Sequence, residues 1–215
     1  MPKRRKVGNL MALAILSVVV HRPMHPYEMA AALRGWGKDR DMAIKWGSLY
    51  TVVQNMAKYG LLEESESTRQ GRRPERTVYR ITEAGRAELL DWTRELLSVA
   101  EGEFPRFRAG LSVMAVLAPD EVTSLLQQRL SALNAEIAKL RDSLDRERDE
   151  VPRLFLIEIE YDLAILVAET AWVGSLLAEL TSGTLPGLAD WRAFHETGEI
   201  SAEMLELAEK NIASG

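Results

Sequence analysis

Cysteine is absent from the 215-residue chain, which excludes disulfides, thiolate metal sites and cysteine nucleophiles. Histidine is nearly as scarce. His21, His25 and His195 are too scattered in sequence to suggest a metal site, and no His-Glu-x-x-His pair occurs. A glycine loop that could cradle phosphate and a nucleophile elbow are missing too. Glu158, Glu160 and Asp162 come nearest to the paired carboxylates of acid–base catalysis. Adjacent residues on a helix point apart, so a catalytic pair is not expected and they read as a solvated edge. The expectation is a protein that is not an enzyme and holds no cofactor or metal. The longest apolar run, Leu10 to Val20, is too short to cross a bilayer and contains Ser17. The start Pro2-Lys3-Arg4-Arg5-Lys6 superficially resembles a secretory signal, but His21-Arg22-Pro23 stands in place of a small-residue cleavage site. It reads as a basic arm, Lys3, Arg4 and Arg5, on a cytoplasmic protein.

What is there is asymmetric. The net charge of −5 divides into 17 lysines and arginines against 11 acidic residues in 1–100, and 10 against 21 in 101–215. A basic front half joined to an acidic back half suggests that only the front meets a polyanion.

The front half is organised around Lys45 to Glu64. Leu49, Val52, Val53, Met56 and Ala57 follow the i, i+3, i+4, i+7, i+8 spacing of one buried helix face. Ser48, Tyr50, Thr51, Gln54, Asn55 and Lys58 occupy the opposite face, and none is a carboxylate. Gly60 ends the helix and Leu61 begins a strand. Ahead of it, Asn9 caps an apolar helix to about Val20, and Pro26 opens a second helix ending near Gly35. Behind it come candidate strands Leu61–Ser65 and Arg76–Ile81. The loop between them carries Arg69, Arg72 and Arg73, with Arg76 opening the second strand, a composition that suits phosphate contact. Thr82 caps a further helix to about Ala100, with Leu89, Leu90, Leu96 and Leu97 as its apolar members. Helix, helix, helix, hairpin, helix is the order of a winged helix-turn-helix.

Several motifs then resemble one family, the PadR-type transcriptional regulators. They are Leu13-Ala14-Ile15-Leu16, His25-Pro26-Tyr27-Glu28-Met29, Gly47-Ser48-Leu49-Tyr50 running on to Gly60-Leu61-Leu62, Gly71-Arg72-Arg73-Pro74, and Val78-Tyr79-Arg80-Ile81-Thr82-Glu83-Ala84-Gly85-Arg86. The resemblance covers about residues 9–100. Two positions depart from the pattern: Pro26 stands where the family usually has glycine, and Thr51 where it often has proline or a basic residue. The resemblance implies a dimeric repressor on a palindromic operator, released when a small molecule binds. It also implies that Ser48 and Tyr50 contact phosphate and that Tyr27 steadies its helix on the backbone. Lys45 stands just ahead of the helix. Thr51, Gln54, Asn55 and Lys58 are the expected seat of sequence preference, since glutamine and asparagine can pair with adenine.

In the back half, Pro119 opens a long helix on which Leu126, Leu130, Leu133, Ile137, Leu140 and Leu144 form a heptad seam. After Pro152, a helix from about Arg153 to Leu180 is apolar on more than one face. The seam and a second subunit together would cover it, as a palindromic site requires. Dimerisation is therefore assigned to Leu126, Leu133, Ile137, Leu140, Phe155, Ile159, Leu166 and Val173. The resemblance agrees, because longer members of the family carry a helical dimerisation domain. From Pro186 the chain is less familiar: Trp191 and Phe194 fall in a short helix or loop, and Ser201 can cap a last helix. Trp92, Tyr161 and Trp172 could line a pocket for a small aromatic effector, although core or interface packing is the commoner role of such rings.

The expected architecture is mainly α: a winged helix-turn-helix over 1–100 and a helical, coiled-coil-like dimerisation domain over 101–215. The expected function is a sequence-specific DNA-binding transcriptional regulator acting as a homodimer. The rivals are a winged-helix protein–protein adaptor, a coiled-coil scaffold, and a small-molecule-binding protein whose DNA binding is secondary.

Overall fold

In the computed structural model, which describes residues 5–38, 42, 44–65, 77–100 and 105–198, the first unit is built round a helix with almost no exposed face. That unit is Met1–Gly102, and the second is Glu103–Gly215. The central helix, α1 (Leu10–Val19), starts where the Asn9 side chain accepts the Ala12 N–H at 3.0 Å. Ala12, Ala14, Ile15, Leu16 and Val18 are wholly buried. Ile15, Leu16 and Val18 each contribute roughly 1.5–3 kcal/mol, before the entropy of ordering is subtracted. Helix α2 (Pro26–Gly35) packs Met29 and Leu33 against it. A single 3-10 turn, Trp46–Ser48, feeds α3 (Leu49–Lys58), which buries Leu49, Val52, Val53 and Met56 in the same core. These are the positions its spacing predicts. Gly60, at φ +73°, turns the chain out of α3, and the Leu61 N–H bonds back to the Met56 carbonyl at 2.9 Å.

Strands β1 (Leu62–Ser65) and β2 (Val78–Ile81) pair antiparallel, with Leu62 opposite Ile81 and Ser65 opposite Val78. Tyr79 and Ile81 face the core and Arg80 faces solvent, the period of two of a half-buried strand. Met24, between α1 and α2, exchanges two backbone hydrogen bonds with Tyr79, at 2.9 and 3.0 Å. The hairpin is thereby tied to the entrance of α2. Thr82 caps α4 (Glu83–Ser98) by accepting the Gly85 N–H at 2.9 Å. Of the leucines expected to bury α4, only Leu89 packs on the core; Leu90, Leu96 and Leu97 are exposed, and Gly85 and Trp92 are the buried residues of the helix.

Helices are the regular structure of the second unit among its described residues, with no strand. It comprises α5 (Arg106–Ser112), a 3-10 turn at Met114–Val116, α6 (Pro119–Glu147), α7 (Ile157–Ser182) and α8 (Leu188–Thr197). Helices α6 and α7 pack along each other, joining Val122, Leu126 and Leu133 to Val173, Leu176, Leu177 and Leu180. The Trp191 indole of α8 donates to the carbonyls of Ala115 (3.2 Å) and Leu117 (2.9 Å), closing one end of the pair. Helix α7 is long and apolar enough to cross a bilayer by length and composition, with a window hydropathy of 1.6. Glu169 in its middle, however, is ion-paired to Arg129 of α6, which fits a helix packed on protein.

Candidate nucleic-acid interface

Burying Leu49, Val52, Val53 and Met56 turns the other side of α3 outward. Lys45, Ser48, Tyr50, Thr51, Gln54, Asn55 and Lys58 are all exposed, so one surface collects cations, hydroxyls and amides without a carboxylate. Ser48 Oγ donates to the Lys45 carbonyl at 2.9 Å rather than accepting from a helix N–H, and no side chain caps α3. The positive end of the helix dipole is therefore left to an outside anion. At the other end, the ammonium groups of Lys6 and Lys58 lie 5.7 and 5.9 Å from the Tyr59 ring centroid. This second basic point, Lys6 with Tyr59, is not among the residues expected from the sequence. Only the fold brings residue 6 to residue 59.

Tyr27 stands 69% exposed on the first turn of α2, and Tyr50 stands 55% exposed on the first turn of α3. Between them lies His25, whose ring meets the Tyr50 ring edge-on with centroids 6.5 Å apart. Glu28 closes the start of α2 by accepting the His25 N–H at 2.9 Å and pairing with Arg22 at 3.1 Å. The His25 N–H, opposed by burial and assisted by Arg22, holds the Glu28 carboxyl below its ordinary range.

An exposed, carboxylate-free third helix that follows α1 and α2 and is joined to a hairpin is the arrangement of a winged helix-turn-helix. Residues 15–91 match the transcriptional regulator PadR-like family. They form a PadR-like domain. Among solved structures, PadR of Bacillus subtilis in complex with operator DNA is similar at 18% identity and a TM-score of 0.65, over 80% of this chain and 99% of that one. The same protein in complex with p-coumaric acid is similar at 17% identity and a TM-score of 0.65, over the same shares. The virulence activator AphA of Vibrio cholerae matches at 18% identity and 0.62, covering 80% of this chain and 98% of that one. No curated protein sequence matches the chain.

The PadR-like domain uses one predicted DNA ligand differently. The Arg5 side chain is 6% exposed, paired to Glu88 at 2.8 Å, Asp91 at 3.5 Å and Glu95 at 2.6 Å. Its guanidinium also lies 4.8 Å from the Trp92 ring centroid. Burial alone would lower its pKa, but the three carboxylates of α4 outweigh burial and hold it charged. Arg5 thus clamps the start of the chain to α4 rather than standing free on the surface. Lys3, Arg4, Arg69, Arg72, Arg73 and Arg76 lie outside the described residues.

Of the aromatic residues read as an effector pocket, Trp92 is 5% exposed in the core of the first unit, under Arg5. Tyr161 and Trp172 stand 63% and 50% exposed on α7. Trp172 borders an open recess of about 460 Å³ with Arg106, Phe107, Arg108, Arg129 and Glu169. There the Phe107 and Trp172 rings meet at 6.2 Å, and the Arg129 guanidinium stacks 3.7 Å over Phe107. Four residues assigned to dimerisation need correction: Leu126, Leu133, Ile137 and Val173 are at most 7% exposed, covered by packing within their own chain. Leu140, Ile159 and Leu166 are half-buried and Phe155 is exposed. The free apolar stripe is Ile157, Tyr161, Ile165 and Trp172, spaced to fall on one side of α7. Among the described residues no cluster of three potential metal ligands forms.

Proposed function

We propose that this protein is a ligand-responsive transcriptional repressor that binds a palindromic operator as a homodimer in the cytoplasm. The observation that carries the reading is the exposed, carboxylate-free face of α3 on a PadR-like domain. Lys45, Ser48, Tyr27 and Tyr50 position the helix on phosphates, while Thr51, Gln54, Asn55 and Lys58 face the groove and supply the sequence preference. The wing arginines Arg69, Arg72, Arg73 and Arg76, with Lys3 and Arg4, add sequence-independent charge contacts. The stripe Ile157, Tyr161, Ile165 and Trp172 supplies the contact with a second copy, because an apolar stripe of that length is seldom left in water.

The effector is an aromatic carboxylate, the chemical class of the p-coumaric acid in the Bacillus subtilis complex. Phe107 and Trp172 offer ring faces, and Arg106 and Arg108, both exposed, offer guanidinium groups to a carboxylate. Occupancy shifts the separation of the two α3 helices and so releases DNA.

A gel-shift titration on the DNA upstream of the protein's own gene tests the reading. A repressor binds that duplex well above random DNA, with affinity falling steeply as salt rises. Equal affinity for both duplexes, or a shallow salt dependence, would falsify it.

A further inference from the structure

Helix N-caps are usually Ser, Thr, Asp or Asn, whose short side chains reach the first free N–H groups. Helix α2 has an imidazole there. His25 Nδ1 accepts the Tyr27 N–H at 3.1 Å, and the His25 N–H is in turn accepted by Glu28 Oε2 at 2.9 Å. The same ring lies edge-on to Tyr50, with the planes at 69°. One side chain thus touches both the start of α2 and the first turn of α3, a reach that serine or aspartate lacks. Its backbone is fixed on both sides. Met24 is bonded twice to Tyr79, and Pro26 locks the first residue of α2.

We propose that His25 is a positioning residue for DNA binding, setting the spacing of Tyr27 and Tyr50. Its ring does so by buttressing the Tyr50 ring, while its Nδ1 cap stabilises α2. The inference rests on the reading of α3 as the recognition helix. Phosphates along a DNA strand have fixed spacing, so two hydroxyls on separate helices contact them together only if their own spacing is fixed. Both tyrosines are largely exposed, and exposed rings without a neighbour sample several rotamers. The His25 contact removes that freedom from Tyr50 before DNA arrives.

Two substitutions separate the cap from the ring. His25→Asn keeps a capping acceptor and removes the ring; His25→Phe keeps a ring and removes the acceptor. The full-length chain has five tyrosines, so 3-fluorotyrosine labelling resolves Tyr50, with Tyr50→Phe identifying its resonance. His25→Asn is expected to melt like the wild type, to move the Tyr50 resonance, and to lose about 3- to 10-fold in operator affinity. His25→Phe is expected to melt lower, yet to keep the Tyr50 resonance and most of the affinity. The proposal is overturned if His25→Asn binds operator as the wild type does. It is also overturned if affinity falls while the Tyr50 resonance stays in place, since the effect then travels by another route. If the wild type itself shows no preference for operator, the recognition-helix reading fails, and the positioning role falls with it.

Discussion

A methyl group added at Gly85 would lie 2.1 Å from the Leu61 carbonyl oxygen and 2.9 Å from Ile81 Cγ1. That carbonyl already accepts the Thr82 N–H and hydroxyl, at 3.2 and 3.1 Å, so the start of α4 is docked on the turn that leaves α3. Gly85→Ala must push the two apart. It is expected to destabilise the first unit by about 2–3 kcal/mol, read as a lower urea midpoint with an unchanged slope. Glu28 makes a different kind of demand. Hydrogen bonding from the His25 N–H depresses its pKa, so its stabilisation is present above the ordinary value of 4.5 and is lost as pH falls through the folded value. The carboxylate is 44% exposed, which keeps the contribution under about 1 kcal/mol. Wild type should therefore melt above Glu28→Gln at pH 7, with the gap closing at acidic pH, as pH falls below 4.5 and through the depressed folded value. A gap equal at both pH values would show that the ionised cap contributes nothing.

The exposed face of α3 joins positioning to reading, and the two separate by substitution. Lys45→Ala should weaken operator and random duplex alike and reduce the salt slope by about 1. Gln54→Ala should cost roughly 1–3 kcal/mol on operator only, with preference relaxed at one base pair. Titrations on both duplexes at two salt concentrations distinguish them, and a Gln54→Ala loss shared by random DNA would remove Gln54 from base reading. That this helix could be found beforehand follows from its pattern: four buried apolar residues at helical spacing leave one face for everything polar. Strand β2 was equally legible, since its alternation meets a one-sided core, whereas β1 buries only Leu62 and was marked by the glycine before it. Helix α4 was not. Its leucines suggested one face, but close docking at Gly85 and the breadth of Trp92 selected another, and counting leucines cannot reveal a docking partner. The row Glu88, Asp91 and Glu95 is visible in sequence at helical spacing, yet nothing local says that Arg5 is what it captures. Charge alone assigned Arg5 to DNA; the fold assigns it to α4.

The same lesson governs assembly. The seam Leu126, Leu133 and Ile137 was correctly seen as a packing surface, but a heptad specifies a partner helix and not the chain that provides it. Helix α7 of the same chain fills that role. The surface proposed for a second copy is the stripe of α7 that α6 leaves uncovered, with Ile157 49%, Tyr161 63%, Ile165 50% and Trp172 50% exposed. The two surfaces respond differently to substitution. Tyr161→Arg with Ile165→Arg adds charge where the monomer is already wet, so the fold should melt near the wild-type temperature. Light scattering should then report a monomer at micromolar protein, and operator binding should collapse because one copy engages only one half-site. Leu180→Ala acts on the other surface: at 2% exposure it opens a cavity costing about 2–5 kcal/mol while leaving the stripe intact. It should lower the melting temperature and leave the dimer as it is. A double-arginine variant that stays dimeric would move the interface away from α7. The two-fold symmetry proposed for the operator would then have to be matched by another surface, for which the exposed Leu90 and Leu97 of α4 are the next place to substitute.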